Sequence, residues 1–132
     1  MAESEDYRIL IVEDDPHLVR MMQFLFMAKG FNAKIAQSGH EAFEILKDFT
    51  PHAFVLDIIM PSMDGFQVLE KIKLDDKLKD IPVLVLSALP SMGNSEKAMA
   101  MGASEYINKP FRSSELVARI TAHIEKRNVS EG

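Results

Sequence analysis

The sequence contains no cysteine. Disulfides, thiol catalysis and cysteine-based metal sites are thereby excluded, and the composition fits an intracellular protein. No apolar run approaches the roughly 20 residues that a membrane-spanning helix needs. The first six residues are polar and acidic, the opposite of a secretory leader, so a cytoplasmic location is expected. Positive charge is in deficit, with a formal net charge of -5, which argues against non-specific nucleic-acid binding by the whole surface. Internal repeats and low-complexity linkers are also missing. The four histidines (His17, His40, His52 and His123) show no metal-ligand spacing, and none pairs with an obvious nucleophile. What remains is a chain of 132 residues, enough for one domain with a real core, with 47% hydrophobic residues to fill it.

Those apolar residues fall into two alternating kinds of segment. Residues 7–12 (YRILIV), 53–56 (AFVL) and 82–86 (PVLVL) are short, β-branched and almost continuously hydrophobic. Such runs suit strands buried on both faces, as in a parallel sheet. Residues 31–36 and 105–108 are weaker strand candidates. Between them lie segments with helical spacing. Residues 16–29 start with Pro16, suited to a first helical turn, and stop at Gly30. Asp15 precedes Pro16 and makes a reasonable N-cap. Residues 38–48 open with Ser38 and Glu41 in the spacing of a capping box. Residues 66–74 carry Phe66, Leu69 and Ile72 on one side, and residues 113–126 carry Leu116, Ile120 and Ile124 in one stripe. Residues 92–101, with Gly93 near the start and Gly102 just after the end, form the poorest helix and are expected to be the least stable. Met21, Met22 and Met27 are expected to act as flexible core filler on the first helix. Residues 7–126 make up the domain, with flexible tails at 1–6 and 127–132.

Strand and helix alternating about five times predict an α/β domain, a parallel sheet with helices on both faces. In such sheets ligands bind outside the carboxyl ends of the strands. The residues at those ends form a coherent set. Glu13, Asp14 and Asp15 follow the first strand, Asp57 the third, Ser87 the fourth and Lys109 the fifth. Clustered carboxylates repel one another and call for a cation, and Mg²⁺ prefers one or two carboxylates with waters and a phosphate oxygen. One carboxylate can then attack phosphorus to give an aspartyl-phosphate, while a lysine and a hydroxyl hold the other phosphoryl oxygens. Each fragment alone has a plainer reading: solvated loop charges for the acids, a turn for Ser87, a surface lysine for Lys109, a half-buried strand residue for Tyr106.

Together, Glu13-Asp14, Asp57 followed by Met60-Pro61-Ser62-Met63-Asp64-Gly65, Ser87-Ala88 and Lys109-Pro110-Phe111 resemble the response-regulator receiver family of two-component signalling. The resemblance implies a doubly wound five-stranded sheet in the order 2-1-3-4-5. It implies Asp57 as phosphoacceptor and a Mg²⁺ site made by Asp14, Asp57 and the backbone carbonyl of Ile59, with Glu13 acting mainly through water. Ser87 is similar to the family's switch hydroxyl, Tyr106 to its switch aromatic, and Lys109 to the lysine that pairs with the acceptor carboxylate and then the phosphate. It implies a cis Lys109–Pro110 bond. The partners implied are a sensor histidine kinase or histidine phosphotransfer protein as donor and a downstream output protein or domain. Direct contact with nucleic acid or membrane is not expected, and a homodimer is left open. The implied role is a signalling switch rather than an enzyme. The apolar Ile59 and Leu89, two residues after the acceptor and the switch hydroxyl, suggest slow self-hydrolysis, because neither can orient an attacking water.

Three other readings compete. A degenerate receiver that binds partners without phosphorylation is opposed by the complete set Glu13, Asp14, Asp57, Ser87 and Lys109. A phosphohydrolase with an aspartate nucleophile would place a second aspartate where Ile59 stands. A flavin-binding domain of this topology would need a phosphate-cradling loop after the first strand, where acids stand instead.

Overall fold

The computed structural model describes residues 7–58, 65–87 and 93–131. Five strands alternate with five helices: β1 (Arg8–Val12), α1 (Pro16–Ala28), β2 (Asn32–Ala36), α2 (Gly39–Ile45), β3 (Ala53–Asp57), α3 (Gly65–Leu74), β4 (Val83–Ser87), α4 (Asn94–Ala100), β5 (Glu105–Asn108) and α5 (Ser113–Glu131). All the strand pairs are parallel, in the order β2-β1-β3-β4-β5. The expected fold and strand order are therefore the observed ones.

The continuous hydrophobicity of β1, β3 and β4 follows from two buried faces. Successive side chains of a strand point to opposite sides. Leu10, Val12, Phe54, Leu56, Val83 and Val85 face one layer, where Val68, Leu69 and Ile72 of α3, Ala42 of α2 and Ala98 of α4 cover them. Ile9, Ile11, Val55, Leu84 and Leu86 face the other, covered by Met22 and Phe26 of α1 and by Leu116, Ile120 and Ile124 of α5. The edge strand β2 alternates between exposed and half-buried residues before Ala36.

Helix ends follow local chemistry. The Asp15 carboxylate accepts from the His17 and Leu18 amides and caps α1. Ser38 Oγ accepts from the Glu41 amide at 3.1 Å, but the returning bond to Glu41 Oε1 comes from the Gln37 amide, one residue before the cap. The α2 helix stops at Ile45, short of the expected Asp48, because the amides of Lys47 and Asp48 turn to carbonyls three residues back. The last helix, α5, runs to Glu131.

The methionine expectation needs correcting. Met22 is buried, but Met21 and Met27 are exposed, Met27 by 71%, and Phe24 between them by 75%. Only one stripe of α1 meets the sheet, and these three residues lie off it.

Candidate functional site

Strand register brings the site together. Val12 pairs with Leu56, so Glu13 leaves β1 level with Asp57. Asp57 pairs with Leu86, which puts Ser87 one step beyond it, and Ser87 pairs with Asn108, which precedes Lys109. The Glu13 amide donates to Ala36 O at 2.9 Å and the Lys109 amide to Ser87 O at 2.7 Å, so each loop starts from a fixed backbone position. The peptide bond between Lys109 and Pro110 is cis.

The side chains converge at this edge. Glu13, Asp14 and Asp57 each offer a carboxylate oxygen, all within 4.8 Å of one another. Glu13 is 1% exposed and Asp57 is buried with it. Lys109 Nζ, with a side chain 18% exposed, lies 3.0 Å from Glu13 Oε1 and 3.4 Å from Asp57 Oδ2. The resemblance implied that the lysine meets the acceptor carboxylate and that Glu13 acts mainly through water. Here Glu13 is the nearer partner, and its other oxygen accepts from the Asp15 amide at 3.2 Å.

The electrostatics are those of an overcharged pocket. Burial, and then the hydrogen bond and charge of Asp57, push the Glu13 carboxyl up from 4.5 to about 7, against the pull of Lys109. Burial acts to lower the Lys109 pKa, but Glu13 and Asp57 outweigh it and hold the ammonium above its ordinary range. The orphaned polar atoms are Ser87 Oγ and Tyr106 OH, both buried and without a hydrogen-bond partner among the described residues. Buried hydroxyls in that state are uncommon and ask for an explanation. The donor set suits a hard divalent cation: three carboxylates with facing oxygens, partly buried and incompletely neutralised by one lysine. Ile59 and Leu89 lie outside the described residues, as do Met60 to Asp64 and Ala88.

Gly65 was legible only as part of the quoted motif, with no role attached. A Cβ at this position would sit 2.5 Å from the Asp57 carbonyl oxygen and closer still to Ile58 Cα. The start of α3 is thus packed directly on the backbone of Asp57 and Ile58.

Residues 9–121 match the response regulator receiver domain family. Among curated relatives, the probable transcriptional regulator ycf29 of Porphyra purpurea is 39% identical over 86% of this chain and 54% of its own length. The response regulator MprA of a Mycobacterium species is 34% identical over 95% of this chain and 54% of its own. Among solved structures, a CheY-like response regulator receiver domain protein from Methanospirillum hungatei superposes with a TM-score of 0.86 at 27% identity, covering 96% of this chain and 98% of that one. The chain belongs to the response regulator receiver domain family, a class of signalling switch. It spans about half the length of the curated relatives it matches.

Proposed function

We propose that this domain accepts a phosphoryl group on Asp57 in a Mg²⁺-dependent reaction and uses it to switch a partner-binding face. The observation that carries the reading is the convergence of Glu13, Asp14 and Asp57 around Lys109, with the unpartnered Ser87 hydroxyl at the next strand end. Glu13, Asp14 and Asp57 would hold the ion, with the Ile59 carbonyl as a further ligand. When bound, Mg²⁺ supplies charge neutralisation for the carboxylates and the incoming phosphoryl oxygens.

The Asp57 carboxylate oxygen attacks phosphorus, and the P–N bond to a donor imidazole breaks with its electron pair leaving on the ring nitrogen. Lys109 moves from neutralising Glu13 and Asp57 to pairing with a phosphoryl oxygen. The Ser87 hydroxyl finds its missing partner in another. Phosphorylation adds about -1.5 to -2 of charge at the sheet edge. As Ser87 turns inward, the buried Tyr106 hydroxyl gains room to follow. The face made by α4, β5 and α5 then changes its partner preference, a shift between two populated states.

The donor is a sensor histidine kinase or a histidine phosphotransfer protein. A cavity of about 540 Å³ beside the site, lined by His17, Leu18, Met21, Pro110 and Phe111, offers it an apolar footing next to Lys109. A downstream output protein or domain reads the switched face, within a cytoplasmic pathway. The domain turns over no metabolite, so it is a signalling module rather than an enzyme. No helix among the described residues is long and apolar enough to cross a membrane.

The test is intact mass after incubation with acetyl phosphate and Mg²⁺. The expected result is a gain of about 80 Da, abolished by chelator and absent in Asp57→Asn. No gain on the unaltered chain, with a histidine phosphodonor as well as with acetyl phosphate, would overturn the reading in favour of a phosphorylation-independent binding module.

A further inference from the structure

Asp57 sits at the last position of β3, and what fixes its backbone on the far side is the first turn of α3. The Gly65 amide donates to the Ile58 carbonyl at 2.9 Å, tying the start of α3 to the residue after Asp57. The contact leaves no room for a side chain at Gly65. Any displacement of this turn is therefore transmitted to the Asp57–Ile58 peptide without slack.

The next residue connects that turn to a different helix. Phe66 is half-buried against the core layer shared by α3 and α4. The ammonium of Lys97, on α4, lies 4.2 Å from the centroid of its ring, well inside cation–π range. Lys97 is itself exposed, and its neighbour Ala98 is the single buried residue of α4. A short helix with so little burial leans on whatever side-chain contacts it has. The chain of contact runs from Lys97 to Phe66, to Gly65, to the backbone of Asp57.

We infer that Lys97 is a positioning residue for Asp57, acting through Phe66 and the glycine-seated first turn of α3. The consequence at Asp57 rests on the phosphoacceptor reading; the mechanical link does not. By reciprocity, a change at the site that shifts the α3 turn must also shift the seating of α4 on Phe66, giving the site a second route to the α4 surface.

The test separates the two. Amide hydrogen exchange at Gly65 reports the α3 turn with no ligand present, and Mg²⁺ titration reports the site. In Lys97→Met, which keeps the length and the apolar stem but loses the charge, Gly65 exchange should rise by about two- to fivefold, and Mg²⁺ should bind more weakly by a similar factor. Lys97→Arg, which keeps a cation over the ring, should restore both. With Phe66→Leu already in place, Lys97→Met should change neither, which separates the ring contact from a general loss of positive charge. The inference is overturned if Gly65 exchange is unchanged in Lys97→Met, if arginine fails to rescue, or if the effect persists without the ring. If the unaltered chain takes no Mg²⁺, the phosphoacceptor reading fails while Gly65 exchange still decides the link.

Discussion

The two helical layers of this domain are built to different standards. On one side, α1 has an aspartate cap and buries Val19, Met22 and Phe26, while α5 lays Leu116, Ile120 and Ile124 along the sheet. On the other, α4 starts at Gly93 with no side-chain cap and buries only Ala98. The first layer is scaffold. The second contains an element held loosely enough to be re-seated by small forces, and such elements are where switching is cheapest. Between the layers, at the carboxyl edge of the sheet, lies a pocket whose charges burden both.

The sharpest way to break this contrast is to hollow out the scaffold side. Ile120→Ala should destabilise the domain by about 2–5 kcal/mol, read as a fall in the urea midpoint, since a fully buried side chain is removed and the sheet cannot collapse into the space. A loss below about 1 kcal/mol would mean that α5 is no better anchored than α4.

The pocket comes next. Glu13 binds its proton more tightly in the folded chain, at about 7, than at its ordinary 4.5. Folding therefore favours the protonated form, and metal-free stability should fall as pH rises between those values. The loss contributed by this group levels off above that range. Urea unfolding at about pH 5 and about pH 8, with Glu13→Gln as the comparison, checks the sign; the variant should lose this slope. With Mg²⁺ held by these carboxylates as proposed, saturating ion should flatten it too, because the ion would take the proton's place.

The smallest effect is on the loosely held side. Ala98→Gly removes helix propensity and one buried methyl from α4, and should cost about 1–2 kcal/mol globally. Hydrogen exchange along α4 should nevertheless rise ahead of the rest of the chain. Uniform acceleration in all five helices would show that α4 opens only with the whole domain.

Much of the fold was legible because its signals are local. A strand buried on both faces must be apolar at every position, so β1, β3 and β4 announced themselves to within a residue or so at each end. The Asp15 cap and the Leu116–Ile120–Ile124 stripe were readable for the same reason: the cap's partners, and the spacing within the stripe, lie within a few residues. The site residues were legible as candidates because each stands at or just past a strand end, and parallel strands end on one edge.

What the sequence could not decide is what meets what across the chain. Helical spacing put Met21, Met22 and Met27 on one helix, but how wide a stripe the sheet covers is a property of packing, and it took only Met22. Lys109 and Glu13 are far apart in sequence, and their bond follows from the register of four strands, a choice made by the whole sheet. The seat of Gly65 on Asp57, and the reach of Lys97 to Phe66, exist only once α3 and α4 have docked. The sequence by itself determined the elements, the two buried faces of the central strands and the inventory of the site. Tertiary structure decided the pairings, because a pairing is a distance between residues, and only the assembled sheet and its two helical layers set those distances.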